Sequence, residues 1–419
     1  MKLFQKLIIA PALLGLFSPI SATANEFSLD EMSDYSSKKK VESITEFDPA
    51  KELAITNSRV DGLEAKLNNF EAGSFSETTT MSGSAAIQVG AVDEGDDTQA
   101  VTSTYSYALD LNTSFTGDDN LYVGIETGNS ASNVDFATAS SVDGSDTLSV
   151  HSMYYQFPIG DFDIAAGPLL DNDDLMPTTI STYSDKFFMA GYSLLESNSY
   201  LYGLTQSGAG LAVSKTFDNG FNASGSIIGT GAATTSGILT EEGIDIITLS
   251  AGYDGDNYGG GIVFVDGDDY CGLVNSYIST GCSTLGVSSL DVDVMGIGGY
   301  WTPNEGKTMI SATANLVQPH VGGIDIDNIT DYQFAVEHQV FDGVLSASYK
   351  IIPFYNVVTS TDFNSDNQGT YLEVYYTQPV NDSLDLTYGI AMADPDTDSG
   401  DSFELYYYTA IGAQATFKF

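Results

Sequence analysis

The sequence predicts an all-β transmembrane barrel of about 16 antiparallel strands, preceded by a short N-terminal α-helical coiled-coil segment. Three observations carry that expectation. An export signal is followed by no apolar helix, most of the chain alternates apolar and polar residues with period two between turn residues, and the last strand ends on an aromatic.

Lys2 and Lys6 precede an apolar run from Leu7 to Phe17, and Ala22-Thr23-Ala24 forms a small-x-small cleavage site before Asn25. This pattern assigns residues 1–24 to a secretory signal peptide. Beyond it no run of about 18 apolar residues occurs, so any membrane span must be built from strands. The chain carries 57 acidic and 13 basic residues, two of the latter in the signal. Such a balance makes nucleic acid and anionic substrates poor partners, although solubility in a salty environment would select the same charge.

Residues 25–50 are polar and aperiodic, as in a short periplasmic segment. Over 51–72 the pattern changes. Leu53, Val60 and Leu67 share one heptad position, and Thr56, Leu63 and Phe70 share the other, with Arg59, Asp61, Glu64 and Lys66 outside. Gly73 stands where such a helix stops. Leu53, Val60, Leu63, Leu67 and Phe70 are therefore the expected oligomerisation seam, and a lone amphipathic helix packed on its own domain is the alternative.

Residues 73–419 form the barrel domain. Sixteen strands are expected at 80–92, 101–115, 121–128, 147–157, 162–170, 208–217, 221–230, 244–253, 258–265, 289–301, 308–316, 330–340, 344–355, 370–378, 383–393 and 402–419. Tight connectors such as 116–120, 218–220 and 341–343 carry Gly, Asn and Asp. Longer Ser/Thr/Asp/Gly-rich connectors (129–146, 171–207, 231–243, 266–288, 356–369) alternate with them. Short turns at one end and long loops at the other characterise an outer-membrane barrel in contact with lipid. Within 344–352, Leu345, Ala347, Tyr349 and Ile351 share one face, and Ser346, Ser348 and Lys350 the other. A soluble β-sandwich shares this alternation with its apolar face inward. It does not explain the export signal, the long strands and the terminal aromatic together.

That terminal strand puts Phe417 and Phe419 on the expected lipid face, where aromatics sit at the interface, and its pairing with the first strand satisfies its backbone. Cys271 and Cys282 lie close together in a Gly/Ser-rich stretch, and in an oxidising compartment they are expected to form a loop-closing disulfide. There is no CxxC or HExxH, and His151, His320 and His338 have no adjacent Ser-containing motif, so no catalytic residue, cofactor or metal site is assigned. Asp394, Asp396 and Asp398 mimic the first ligands of a calcium loop, but Ser399 and Leu405 occupy positions that need Gly and Glu.

The stretch "SRVDGLEAKLNNFEAGSFSETTTMSGSAAIQVG" (58–90) resembles the junction of coiled coil and first strand in cyanobacterial outer-membrane porins of the iron-uptake and carbohydrate-selective group. "FDIAAGPLLDNDDLMP" (162–177) resembles that family's approach to a long constricting loop. The resemblance implies passive diffusion of ions and small hydrophilic solutes, sugars and iron among them, through a homotrimer. It also implies that the C-terminal aromatics Phe417 and Phe419 serve as the signal for the barrel-assembly machinery. One departure stands out: the family's S-layer-homology domain is missing between signal and helix. Anchoring to peptidoglycan through that domain is therefore not implied, and Lys38 to Lys40 read as a solvated linker or a contact with an anionic wall polymer.

The barrel region holds only five basic side chains, Lys186, Lys215, Lys307, Lys350 and Lys418, and no arginine. Acidic linings favour cations, so a cation-leaning pore is expected. The candidates for its constriction are Asp171, Asp173, Asp174, Asp185 and Lys186. Those for its wall are Asp110, Glu337, Lys350, Glu373, Asp385 and Glu404. Loop 171–207 is too long for a simple connector and contains the apolar "FFMAGYSLL". It is expected to fold into the barrel, with a peripheral subunit contact as the rival. Its Tyr183, Tyr192 and Tyr200 suit a sugar-stacking track or an interfacial girdle.

Overall fold

The computed structural model describes residues 78–94, 97–98, 101–129, 146–179, 181, 183, 207–230, 237–239, 244–268, 291–320, 325–326, 328–359, 362–395 and 408–419. Leu53, Val60, Leu63, Leu67, Phe70, Asp185, Lys186, Cys271, Cys282 and Glu404 lie outside the described residues.

Sixteen long strands form one closed antiparallel sheet. They are β1 (Thr79–Glu94), β2 (Thr102–Thr113), β3 (Asn120–Gly128), β4 (Ser149–Ile159), β5 (Phe162–Asp171), β6 (Ser207–Thr216), β7 (Phe221–Gly229) and β8 (Asp245–Asp254). The second half comprises β9 (Tyr258–Gly267), β10 (Asp291–Trp301), β11 (Thr308–His320), β12 (Ile329–Val340), β13 (Gly343–Thr359), β14 (Asp362–Asn381), β15 (Leu384–Pro395) and β16 (Tyr408–Lys418). Each pairs with its sequence neighbours, and β1 closes on β16 with Ile87 opposite Ala415 and Val89 opposite Ala413. Closure leaves no open edge, which a sheet in hydrocarbon requires. Asp97–Thr98 extends the β1 ladder, and Asp325–Ile326 pairs in parallel with the start of β14.

Side chains follow the pleat. On β13, Leu345 is 43% exposed and Tyr349 41%, while Ser346 and Ser348 between them are 1% exposed. The outer wall repeats this with Ile247, Leu249, Ile262, Phe264, Met295 and Ile297, and the inner wall with Thr104, Thr248, Thr313, Gln333, Thr387 and Gln414. Polar inside and apolar outside is the inverse of a soluble core and suits lipid as the outer solvent. Exposed aromatics gather at the short-turn end: Phe115, Phe217, Phe221, Tyr258, Trp301 and Phe341. This is the position of an interfacial girdle.

Sixteen antiparallel strands agree with the sequence expectation. One expected connector is corrected: 356–369 is not a loop. β13 runs to Thr359 and β14 begins at Asp362, with the ladder continuing through two register shifts. The β-branched and aromatic residues of "IIPFYNVVT" favour strand despite Pro353 and the polar stretch that follows.

Candidate functional site in the barrel interior

The interior site begins where β5 ends. Its pairing with β4 and β6 shifts register between Met153 and Tyr155 and between Gly167 and Leu170. Pro168 lacks an N–H for the ladder, and a Cβ on Gly167 would lie 2.3 Å from the Met153 carbonyl, so the strand bends where its neighbour comes close. The Asp171 N–H donates to Asp174 Oδ2 at 2.7 Å, and the Met176 N–H to the Asp173 carbonyl at 2.9 Å. These turns send the chain into the lumen.

From there it traverses the interior. Asn172 Nδ2 donates to Thr248 Oγ1 on β8 at 2.9 Å, and Ser226 on β7 donates to the Asn172 carbonyl. The Thr178 hydroxyl donates to Asn222 Oδ1 at 2.8 Å and lies 2.8 Å from Ser250 Oγ. Its methyl group fits against two glycines, because a Cβ on Gly252 or Gly261 would approach it to 2.7 or 2.4 Å. Ser181 and Ser311 on β11 bond at 3.0 Å, and the Tyr183 hydroxyl donates to Glu373 Oε2 on β14 at 2.8 Å. Tyr183 is fully buried with its ring 5.9 Å from that of Tyr375, so it belongs to neither an outer girdle nor an open stacking track. Tyr192 and Tyr200 lie outside the described residues.

Two charged groups flank this crossing. The first joins Asp171, Asp173 and Asp174 to Asp110, whose Oδ1 accepts from the Tyr122 hydroxyl at 2.7 Å. Asp110, Asp171 and Asp174 all lie within electrostatic reach of Tyr154, whose ring is 5.2 Å from that of Tyr122. Burial pushes the Asp174 carboxyl up to about 7; the Asp171 N–H opposes the shift, and the Asp171 and Asp173 carboxylates add to it. The second group, on β12 to β14, holds Asp331, Lys350 and Glu373, each at 0% exposure. Lys350 Nζ lies 5.8 Å from the Tyr371 ring centroid.

Two wall candidates lie apart from both groups, toward the short turns. Glu337 Oε1 accepts from the Ser346 hydroxyl at 3.2 Å, and Asp385 pairs with Lys418 at 2.5 Å. Phe417 and Phe419 face outward; the Phe419 ring stacks on Tyr107 at 5.8 Å, and its backbone exchanges two hydrogen bonds with Gly83. Sequence reasoning singled out neither Asp331 nor Asn315. Asp331 shares the parity of Glu337 along β12, and that signal is legible in the sequence.

The fold and its interior define a class: a closed sixteen-stranded barrel of transmembrane type whose own chain crosses the lumen. Solved structures of similar architecture include the in-vitro folded outer membrane protein OmpT of Vibrio cholerae (12% identity, TM-score 0.55, 82% of this chain and 99% of that one). OprB of Pseudomonas putida is similar at 13% identity and TM-score 0.56, over 82% and 94%. An anion-selective porin from Comamonas acidovorans is similar at 12% and 0.55, over 82% and 99%. At this identity the likeness is one of fold. No family profile matches the chain. No curated protein sequence matches it either.

Proposed function

We propose that the protein is an outer-membrane porin: a non-enzymatic channel for passive diffusion of ions and small hydrophilic solutes, leaning toward cations. The observation that carries this reading is the polar lumen of a sixteen-strand barrel crossed by residues 172–179, 181 and 183, with Asp171, Asp173 and Asp174 at the root of the crossing. A barrel of this strand number leaves room for an aqueous channel. Among the described residues the inward lysines are Lys350 and Lys418, each within reach of a carboxylate, so the described part of the wall lacks the basic lining that anion pores use.

The signal peptide delivers the chain to the periplasm. Leu53 to Phe70 assemble it as a trimer, and Phe417 and Phe419 present it to the assembly machinery. Asp185, Lys186 and Glu404 add to the charged lining, and Cys271–Cys282 closes an outer loop. Sugars and iron are solutes the resemblance suggests. The test is the reversal potential of single channels in a planar bilayer under a potassium chloride gradient. A cation-side reversal that moves toward zero when Asp171, Asp173 and Asp174 are neutralised supports the reading, and anion selectivity overturns its charge account. The crossing itself favours a second reading, a barrel closed to ion flow with a structural role in the envelope. Folded protein without any conductance would decide for that one.

A further inference from the structure

At the long-loop end of β8 to β11 the wall reverses its polarity. Lower on these strands the outward residues are Leu249, Ile262, Phe264, Met295 and Ile297, and the inward ones are Ser250, Ser311 and Thr313. Higher up, the same parities place Asp266, Asp291, Asp293, Gln318 and His320 outside and Ile246, Val265, Val292, Val294 and Val317 inside. The His320 and Asp293 side chains meet at 3.1 Å on the outer face. Charged groups on the lipid face are destabilising, so this part of the wall stands above the hydrocarbon. There the sheet is solvated on one face and packed on the other, as in a water-soluble antiparallel sheet.

The inward residues form one continuous apolar patch. Val265, Val294 and Val317 stand side by side across β9, β10 and β11, and Ile246 and Val292 lie one row farther out. All of them are 0% exposed. The described crossing slopes away beneath this patch: it meets the wall at Thr248, then Ser250, then Ser311, each nearer the short turns than the one before. Val292, Val294 and Val317 therefore need another cover.

Residues 269–290 leave β9 beyond Asp268 and re-enter β10 at Asp291, so both ends are rooted on the strands that carry the patch. That stretch of 22 residues holds Leu273, Val274, Ile278, Leu285, Val287 and Leu290 against a single charged residue, Asp269. A connector of this length without a role is uncommon, and its apolar side chains have no place on an acidic outer face. The rival segment, 184–206, starts from Tyr183 at the β14 wall and carries Asp185, Lys186 and Glu196.

We propose that residues 269–290 fold back into the barrel mouth and pack their apolar side chains on Val265, Val292, Val294 and Val317. The inference rests on the fold and not on the channel reading. Docked there, the segment occupies the lumen along β9 to β11, and the outer half of any water path follows the opposite wall, past Asp110, Tyr122 and Tyr154.

The test places the photo-crosslinker p-benzoylphenylalanine at position 294 of the full chain and identifies the joined peptides by mass spectrometry. Crosslinks into 269–290 are expected from position 294, and none from the same group at position 295, which faces outward. Crosslinks into 184–206, or none from a barrel whose heat-modifiable migration shows it folded, overturn the proposal. Should the bulky group prevent folding, Val294→Cys is paired in turn with Leu273→Cys, Val274→Cys, Ile278→Cys, Leu285→Cys and Val287→Cys in a Cys271→Ser, Cys282→Ser background. A disulfide in one of these pairs is expected, and its absence from every pair overturns the dock. Single-channel recordings of the same protein report on the channel separately, so the failure of one reading leaves the other standing.

Discussion

Tyr183 and Glu373 lie 190 positions apart, yet the tyrosine hydroxyl donates to the glutamate Oε2 at 2.8 Å inside the barrel. The bond joins the segment leaving β5 to the wall at β14. A hydrogen bond to a charged group contributes about 1.5–3 kcal/mol, which is roughly 10- to 100-fold in a docking equilibrium. Tyr183→Phe should therefore give larger and noisier single-channel openings. Traces identical to wild type would show that the bond does not hold the segment.

Asp174 makes the lumen charge sensitive to pH. With its carboxyl raised to about 7 by burial, it is neutral below that value and anionic above it. Cation preference should rise as pH passes from about 6 to about 8, and Asp174→Asn should flatten that step. Stability runs the opposite way. The native state holds a proton that the unfolded chain has already lost, so this group's contribution falls as pH rises from about 4 through 7. Reversal potentials and melting curves across the range measure both.

Gly252 gives space to Thr178. A Cβ there would meet the threonine methyl at 2.7 Å, and Gly252→Ala should cost about 1–3 kcal/mol through overpacking. Adding Thr178→Ser removes the methyl and keeps the hydroxyl. Thermal unfolding of the double variant should then recover most of the loss, and additive losses would show that the two sites are not coupled.

At the seam, Phe419 stacks on Tyr107 and covers Gly83. Phe419→Ala should destabilise the folded barrel by about 1 kcal/mol, the scale of an aromatic pair, and slow its appearance as a heat-modifiable band. Unchanged folding kinetics would remove the seam from the account of assembly.

Asp119 organises the turn between β2 and β3. Its carboxylate accepts from the Tyr155 hydroxyl at 2.5 Å, from the Thr116 and Phe115 N–H groups at 2.8 Å and from the Ser114 hydroxyl at 2.9 Å. The Tyr155 hydroxyl first, and the Thr116 N–H next, hold it well below the usual carboxylate range. A depressed carboxylate contributes stability that is present above its unfolded pKa and is lost as pH falls through the folded one. Asp119→Asn should therefore lower the unfolding temperature at neutral pH and make acid unfolding shallower below about pH 4. A melting profile that matches wild type at every pH would contradict this.

The strands, their order and their faces were legible because a strand's face is set by neighbours two residues away. Alternation over Leu345 to Lys350 reports which side meets lipid without knowledge of the partner strand. The hairpin of β13 and β14 is hidden in the sequence because Pro353 and the Asn/Asp/Ser-rich run after it look locally like a loop, while the ladder that extends them forms between chain segments.

The sequence by itself determined a β-barrel pattern, an outward apolar face and an acid-rich chain, since each depends on composition or on a two-residue period. Only the tertiary structure decided which inward residues meet. Closing the sheet brings Asp110 beside the root of the crossing and sets Asn315 against Asp331, and the crossing carries Tyr183 to Glu373. Those contacts join residues far apart in the chain, and no local period encodes them. They exist because a closed barrel turns one face of every strand toward a common interior.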